Sequence, residues 1–310
     1  STSLIISGAS AEVGTLLEAT RVPLSAAPVP RARALVQSGA DDPHGDHPVF
    51  ALAGDNTWRR IDVGGLTPVS DAQGNRQAVL DPTSLSPDGR YAAFAQRDDV
   101  VVVDLASADV RRFAVVGFNE SVAWLGRHLL VSQQETTFLV TMDGAVTRVP
   151  YTGTDVAVPA DPGDAHQDAA PTDVAELRGG AGQPPVLRRW HPDGRRTELP
   201  VAGVDHEVRW SGTGWRHGTV IARAVTVPQG PPAGRLVLVD VDTGAARFAA
   251  TGQVLSLTTS RVLGWRDATV LLDNDGGREI LAWNPATAAL TRVTVVTGDP
   301  AVVALANGGH

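Results

Sequence analysis

Between Ser84 and Gly117 the chain reads "SLSPDGRYAAFAQRDDVVVVDLASADVRRFAVVG", in which apolar runs alternate with polar turn-formers at intervals of a few residues. The pattern predicts four short strands separated by turns, since no apolar run is long enough for a helix and Gly, Pro and Asp punctuate each one. Its last step, an outer strand running into a glycine, recurs along the chain. "RIDVGG" ends at Gly65, "RFAVVG" at Gly117, "RVPYTG" at Gly153, "ELPVAG" at Gly203, "RFAATG" at Gly252 and "RVTVVTG" at Gly298. The successive spacings of 52, 36, 50, 49 and 46 residues suit a four-stranded propeller blade and not a helical solenoid repeat.

Upstream of each glycine two apolar runs flank a turn, as in "VFALAGDNTWRRI", "VVVVDLASADVRRF", "FLVTMDGAVTRV", "VLRRWHPDGRRTEL", "LVLVDVDTGAARF" and "ILAWNPATAALTRV". Gly, Asn and Asp tolerate the positive φ that tight turns need, so these segments read as outer hairpins. Inner hairpins recur less evenly, as "TSLSPDGRYAAFA", "ESVAWLGRHLLVS", "HEVRWSGTGWRHGTVIAR" and "SRVLGWRDATVLLD". Trp124, Trp210 and Trp265 end the first strand of three of them, where a large ring fills the gap between neighbouring blades. Six glycine marks imply an all-β, six-bladed propeller over residues 31–310, preceded by an N-terminal extension, 1–30. Blade four is irregular: "DVAVPADPGDAHQDAAPTDVAELRG" reads as a polar insertion in place of its inner hairpin. Blade one lacks an innermost strand, and "AVVALA", Ala301–Ala306, is expected to supply it and close the ring, with "SLIIS" at Ser3–Ser7 as the rival.

With "LSPDGRYAAFA" followed by "VVVVDL", the chain resembles the TolB-like and WD-like bacterial β-propellers. The resemblance implies an exported or membrane-tethered bacterial protein that acts by binding other proteins. A repeat of this kind specifies a fold and leaves function to be argued from the site.

Composition narrows the partners. The net charge is −8, from 26 basic and 34 acidic side chains, and every basic residue is Arg. An acidic surface disfavours nucleic acid and anionic lipid; Arg without Lys fits the codon composition of a GC-rich bacterium. There is no Cys, which excludes disulfides, thiolate metal sites and a Cys nucleophile. No stretch approaches the roughly 20 apolar residues of a membrane helix. The first residue is Ser, so an upstream signal or anchor is expected to have been removed.

Candidate chemistry is sparse. No G-x-S-x-G nucleophile elbow occurs. Two acidic, His-containing loops, with Asp41, Asp42, His44, Asp46 and His47 in one and Asp161, Asp164, His166 and Asp168 in the other, match no EF-hand or zincin spacing and read as solvated loops. Arg60, Arg112, Arg148, Arg247 and Arg292 lie five or six positions before their glycines, where strand alternation turns them to solvent and charge discourages edge pairing. The glycine junctions enter successive blades at one end of the ring and are expected to gather Asn119, Glu120, Asp155, Asp205, His206, Gln253 and Asp299 around the channel mouth. These groups differ from blade to blade and form no repeated acid–base pair, so the expected function is a non-catalytic, extracytoplasmic rim that binds a protein, peptide or envelope component. No cofactor or metal is expected, and the molecule is expected to be monomeric. The alternative is a metal- or carboxylate-dependent small-molecule hydrolase or lyase over the central channel.

Overall fold

The computed structural model describes residues 22–38, 48–161, 173–205, 207–227, 233–249, 261–274, 279–295 and 300–307. Among them the architecture is all-β, the one helical element is a 3-10 turn at Gly153–Asp155, and no helix is long and apolar enough to cross a membrane. The first sheet runs β1 (Ala32–Ser38), β2 (Val49–Ala53), β3 (Trp58–Arg60) in antiparallel order. All five residues of β2, VFALA, are buried, as a continuous apolar run requires when a strand is covered on both faces. Residues before β1 belong to the same packing unit: Leu24 and Val29 are fully buried, and their amides donate to Arg60 O and Leu105 O.

A small hairpin, β4 (Val69–Ser70) and β5 (Arg76–Gln77), leads to β6 (Tyr91–Asp104) and β7 (Asp109–Phe118). β6 reverses at Asp98, whose φ of 65° marks a tight turn, so that Leu105 N donates to Arg90 O. Next comes a four-stranded sheet, β8 (Ser121–Leu125), β9 (His128–Ser132), β10 (Thr137–Val140) and β11 (Val146–Val149). β12 (Ala157–Pro159) precedes a three-stranded sheet of β13 (Val174–Gly180), β14 (Gln183–Trp190) and β15 (Arg196–Pro200). It pairs in parallel with β16 (Arg209–His217), which continues into β17 (Val220–Val227), β18 (Ala233–Asp240) and β19 (Ala246–Phe248). The last sheet is β20 (Arg261–Arg266), β21 (Thr269–Asn274), β22 (Glu279–Trp283) and β23 (Leu290–Val295). Finally β24 (Pro300–Leu305) lies antiparallel to β1, with Leu35 opposite Ala304 and Val36 opposite Val303.

Among the described residues five sheets of three or more strands form, not the six expected. Where the second unit was expected, the ladder is reduced to β6 and β7, with an isolated bridge between Leu85 and Ala92. The stretch read as a polar insertion carries β12 and most of β13, because "VAVP" and "VAEL" hold enough apolar side chains to pack. Residues 162–172 between them, and "SLIIS", lie outside the described residues.

Apolar clusters cross from sheet to sheet, the packing that defines a propeller. Phe50, Leu52 and Trp58 meet Leu263, Leu271 and Ile280; Ala93, Val100 and Phe113 meet Val122, Trp124 and Leu129. Each Val, Leu, Ile or Phe among them contributes about 1.5–3 kcal/mol on burial. Trp124 and Trp265 are buried between sheets, and their indole N–H groups donate to carbonyls of the preceding sheet region, Ser84 O at 2.8 Å and Trp215 O at 2.9 Å. Trp210 is only partly buried, contrary to expectation. Its indole N–H donates to Arg178 O of the preceding sheet at 3.3 Å, whereas the fully buried tryptophan of β16 is Trp215, 1% exposed with its N–H on Val262 O of the following sheet at 3.0 Å. The register between β16 and β17 breaks between Ser211 and Trp215, which moves the inward-facing position along the strand.

Two carboxylates between strands give the fold a pH dependence. Burial pushes Asp81, which accepts from Val122 N at 3.0 Å, up to about 7, and Asp273, which accepts from Arg261 N at 2.7 Å, up to about 6. A raised carboxylate makes the folded state bind more protons than the unfolded one. Stability is therefore full below the ordinary value near 4 and declines as pH rises through the folded value. Carboxylates held low, such as Asp71 by Asn75 and Asp143 by Thr141, vary below pH 4, outside that window. Thermal melts of the wild type are expected to fall from pH 5 to pH 8, with a smaller fall in Asp81→Asn; identical pH slopes for the two proteins would refute the assignment.

Candidate functional site

The junctions explain why glycine marks each unit. Gly203 sits at φ 100°, where an added Cβ would stand 2.5 Å from Ala246 O. At Gly153 the obstacle is Ser132 Oγ, into which a Cβ would collide, while Gly153 N donates to Thr137 Oγ1 at 2.9 Å. These two junctions thus dock against strands β19 and β9. Gly252 and Gly298 lie outside the described residues.

The junction side chains meet different fates. Asn119 is fully buried: its Nδ2 donates to Gln96 O, Asp99 O and Val115 O, and its Oδ1 accepts from Gln133 Nε2 at 3.0 Å. It ties β6, β7 and the turn between β9 and β10 together. Glu120 beside it is half-buried, with its backbone N–H on Ser132 O. Asp205 is exposed and accepts from Glu207 N at 3.0 Å, closing its own turn. His206, Gln253 and Asp299 fall outside the described residues.

Asp155, at the end of the 3-10 turn, joins a larger polar cluster. Its Oδ1 lies 3.6 Å from Nη2 of Arg223, a β17 residue only 4% exposed. The guanidinium also donates to Gly212 O at 2.9 Å, Leu177 O at 3.1 Å and Thr154 O at 3.3 Å, and sits 5.6 Å from the Trp210 ring centroid. Beside it, Glu176 on β13 is fully buried and accepts from Thr152 N at 2.9 Å and from Trp190 Nε1. Arg178 bridges the two halves, with Nη1 3.6 Å from Glu176 Oε2 and 3.1 Å from Thr152 Oγ1.

Burial dominates the electrostatics. It pushes Asp155 up from the ordinary carboxylate value, with Arg223 and Arg178 opposing, and pushes Arg223 down, with Asp155 opposing. Burial and the nearby Glu176 raise Tyr151 to about 12. Two carboxylates balance two guanidiniums, and most donors and acceptors are already committed to the backbone of β13, the Gly153–Asp155 turn and the loop within β16. The cluster can fix the seam between two sheets and present the partly exposed Asp155; it holds no pair of free acid and base.

Sequence reading missed Arg223, Glu176 and Arg178. The one available signal was charged residues interrupting apolar runs, "AELRG" and "VIARAV", which in a doubly covered strand marks a buried, partnered charge. Of the two His/Asp loops, only Asp161 among the named acids is described. It pairs with His217, Nδ1 to Oδ1 at 2.7 Å, and the imidazole stacks on Trp265. Among the described residues no three His, Asp or Glu side chains gather as a metal site.

No family model and no curated protein matches the sequence. Among solved structures, the chain is similar to TolB from Acinetobacter baumannii, with TM-score 0.51 and 14% identity over 90% of this chain and 67% of that one. It is also similar to a putative TolB from Agrobacterium tumefaciens, with TM-score 0.49 and 11% identity over 84% and 88% of the two chains. A streptogramin B lyase aligns with TM-score 0.44 and 9% identity over 87% and 86%. At these identities the likeness is one of fold: the chain has a β-propeller fold like that of TolB.

Proposed function

We propose that this propeller is a non-catalytic binding module that works outside the cytoplasm and presents its junction face to a protein or peptide. The observation that carries the reading is the commitment of its polar junction groups. Asn119 is buried in four hydrogen bonds, and Asp155 faces a guanidinium that is itself fixed by three carbonyls. Hydrolysis needs two groups with separated pKa values held ready for substrate; a rigid, partly acidic rim suits recognition. Glu120, Asp155 and Asp205 are the accessible members of that rim, with His206, Gln253 and Asp299 proposed to complete it. The TolB-like fold supports both the binding role and the location. The same reading takes β24 as the clasp of the ring, supported by its ladder with β1, and takes the chain as a monomer with residues 1–30 as an N-terminal extension whose last part, Leu24 and Val29 included, packs on the first sheet.

A photo-crosslinking amino acid placed at Glu120 or Asp205 in cells is expected to yield one discrete adduct, and the same group at the exposed outer-strand Arg148 none. Adducts at Arg148 with none at either junction position would contradict the reading.

A further inference from the structure

At the other end of the second and third units lies a cavity of about 460 Å³, bounded by four turns: Ser86–Tyr91, Asp104–Asp109, Gly126–His128 and Thr141–Asp143. That volume is in the range of small-ligand sites. β7 begins here, at Asp109, and ends at Phe118 next to the Asn119 junction; ten residues of strand separate the two ends by roughly 30 Å. The cavity is therefore a different place from the proposed rim.

Its chemistry is specific. Tyr91 and Trp124, with ring centroids 5.9 Å apart, and Met142 give it aromatic and thioether walls. Four carboxylates line it, Asp88, Asp104, Asp109 and Asp143, against the guanidiniums of Arg111 and Arg127. Asp88 and Asp143 are held by their own turns, through Ser86 Oγ at 2.7 Å and Ala145 N at 3.2 Å respectively. Asp109 is exposed, and among the described residues its carboxylate has no hydrogen bond or ion pair. Arg127 and His128 have partners of their own. Beside the cavity, the guanidinium of Arg90 sits 5.0 Å from the Tyr91 ring centroid with Nη2 3.2 Å from Asp104, so that Asp104 is already paired. Ring faces and excess carboxylate together attract a cation on an apolar stem.

We propose that this cavity binds a guanidinium or primary ammonium group carried on an alkyl chain, with Asp109 as its free counter-charge and Tyr91, Trp124 and Met142 packing the stem. A free amine and a basic side chain of a partner share this chemistry. Calorimetric titration with butylguanidinium, its uncharged isostere butylurea, and an acetylated, amidated Ala-Arg-Ala peptide separates the possibilities. Butylguanidinium is expected to bind the wild type at low salt and about tenfold more weakly to Asp109→Arg, which places a like charge at the mouth. Arg111→Ala, which removes a competing cation, is expected to strengthen binding severalfold, and both exposed-site variants should melt as the wild type does. Tighter binding of the peptide than of butylguanidinium identifies a partner's side chain as the natural occupant; equal or weaker binding identifies a free amine. The proposal is overturned if no cationic probe binds, if butylurea binds as well as butylguanidinium, or if Asp109→Arg leaves the affinity unchanged.

Discussion

Replacing Arg223 with Met is expected to lower the unfolding free energy by about 3–5 kcal/mol, the cost of breaking a buried ion pair from one side. The loss has two parts. Asp155 loses the guanidinium that opposes the burial already working against its charge, and the carbonyls of Gly212, Leu177 and Thr154 lose their donors; each orphaned buried acceptor costs about 1–3 kcal/mol. The exposed pair of Arg292 and Glu279, 2.5 Å apart on the last sheet, supplies the contrast. Arg292→Ala is expected to cost less than about 1 kcal/mol, because solvent screens that pair. Urea denaturation of both variants reads the difference. If Arg223→Met unfolds at the wild-type midpoint, the cluster is not what joins β13 to β17, and a ligand-facing role for Arg223 becomes the better account.

Trp215→Ala is expected to cost about 3–5 kcal/mol, as for other large aromatics truncated in a core. Its indole is packed among Val158, Leu236, Val262 and Trp283, donates to Val262 O, and its backbone oxygen accepts the N–H of Trp265. Removing it empties the seam between the β16–β19 and β20–β23 sheets. Trp210→Ala should cost markedly less, since that ring is partly exposed and lies against Arg223 at the other seam. A larger loss for Trp210 than for Trp215 would contradict the packing described.

These two residues also show where sequence reading runs out. The glycine marks and hairpin turns were legible because they are local: the chemistry of a turn is set by residues next to one another. The exposure of Arg60, Arg112, Arg148, Arg247 and Arg292 followed from strand alternation, and all five are exposed. Choosing between the tryptophans of "WSGTGW" needed the register break at Ser211–Trp215, which arises where Gly212 takes φ 67° and leaves no periodic trace. The strand count failed at the second unit, where β6, folded back on itself at Asp98, and β7 carry the ladder. The polar cluster was hidden for a different reason. Arg223 reaches carbonyls 11, 46 and 69 residues away, and no spacing rule connects such positions. Asn119 looked like a polar group at a mouth and is buried, because its hydrogen-bond partners at 96 and 99 come from a β6 that doubles back and its partner at 115 from β7.

Binding without turnover is the central claim, and elemental analysis of the purified protein combined with a panel of hydrolase and lyase substrates tests it most directly. The account predicts no stoichiometric metal and no turnover that depends on the junction residues. A stoichiometric metal together with turnover that disappears in Glu120→Gln or Asp205→Asn would contradict it.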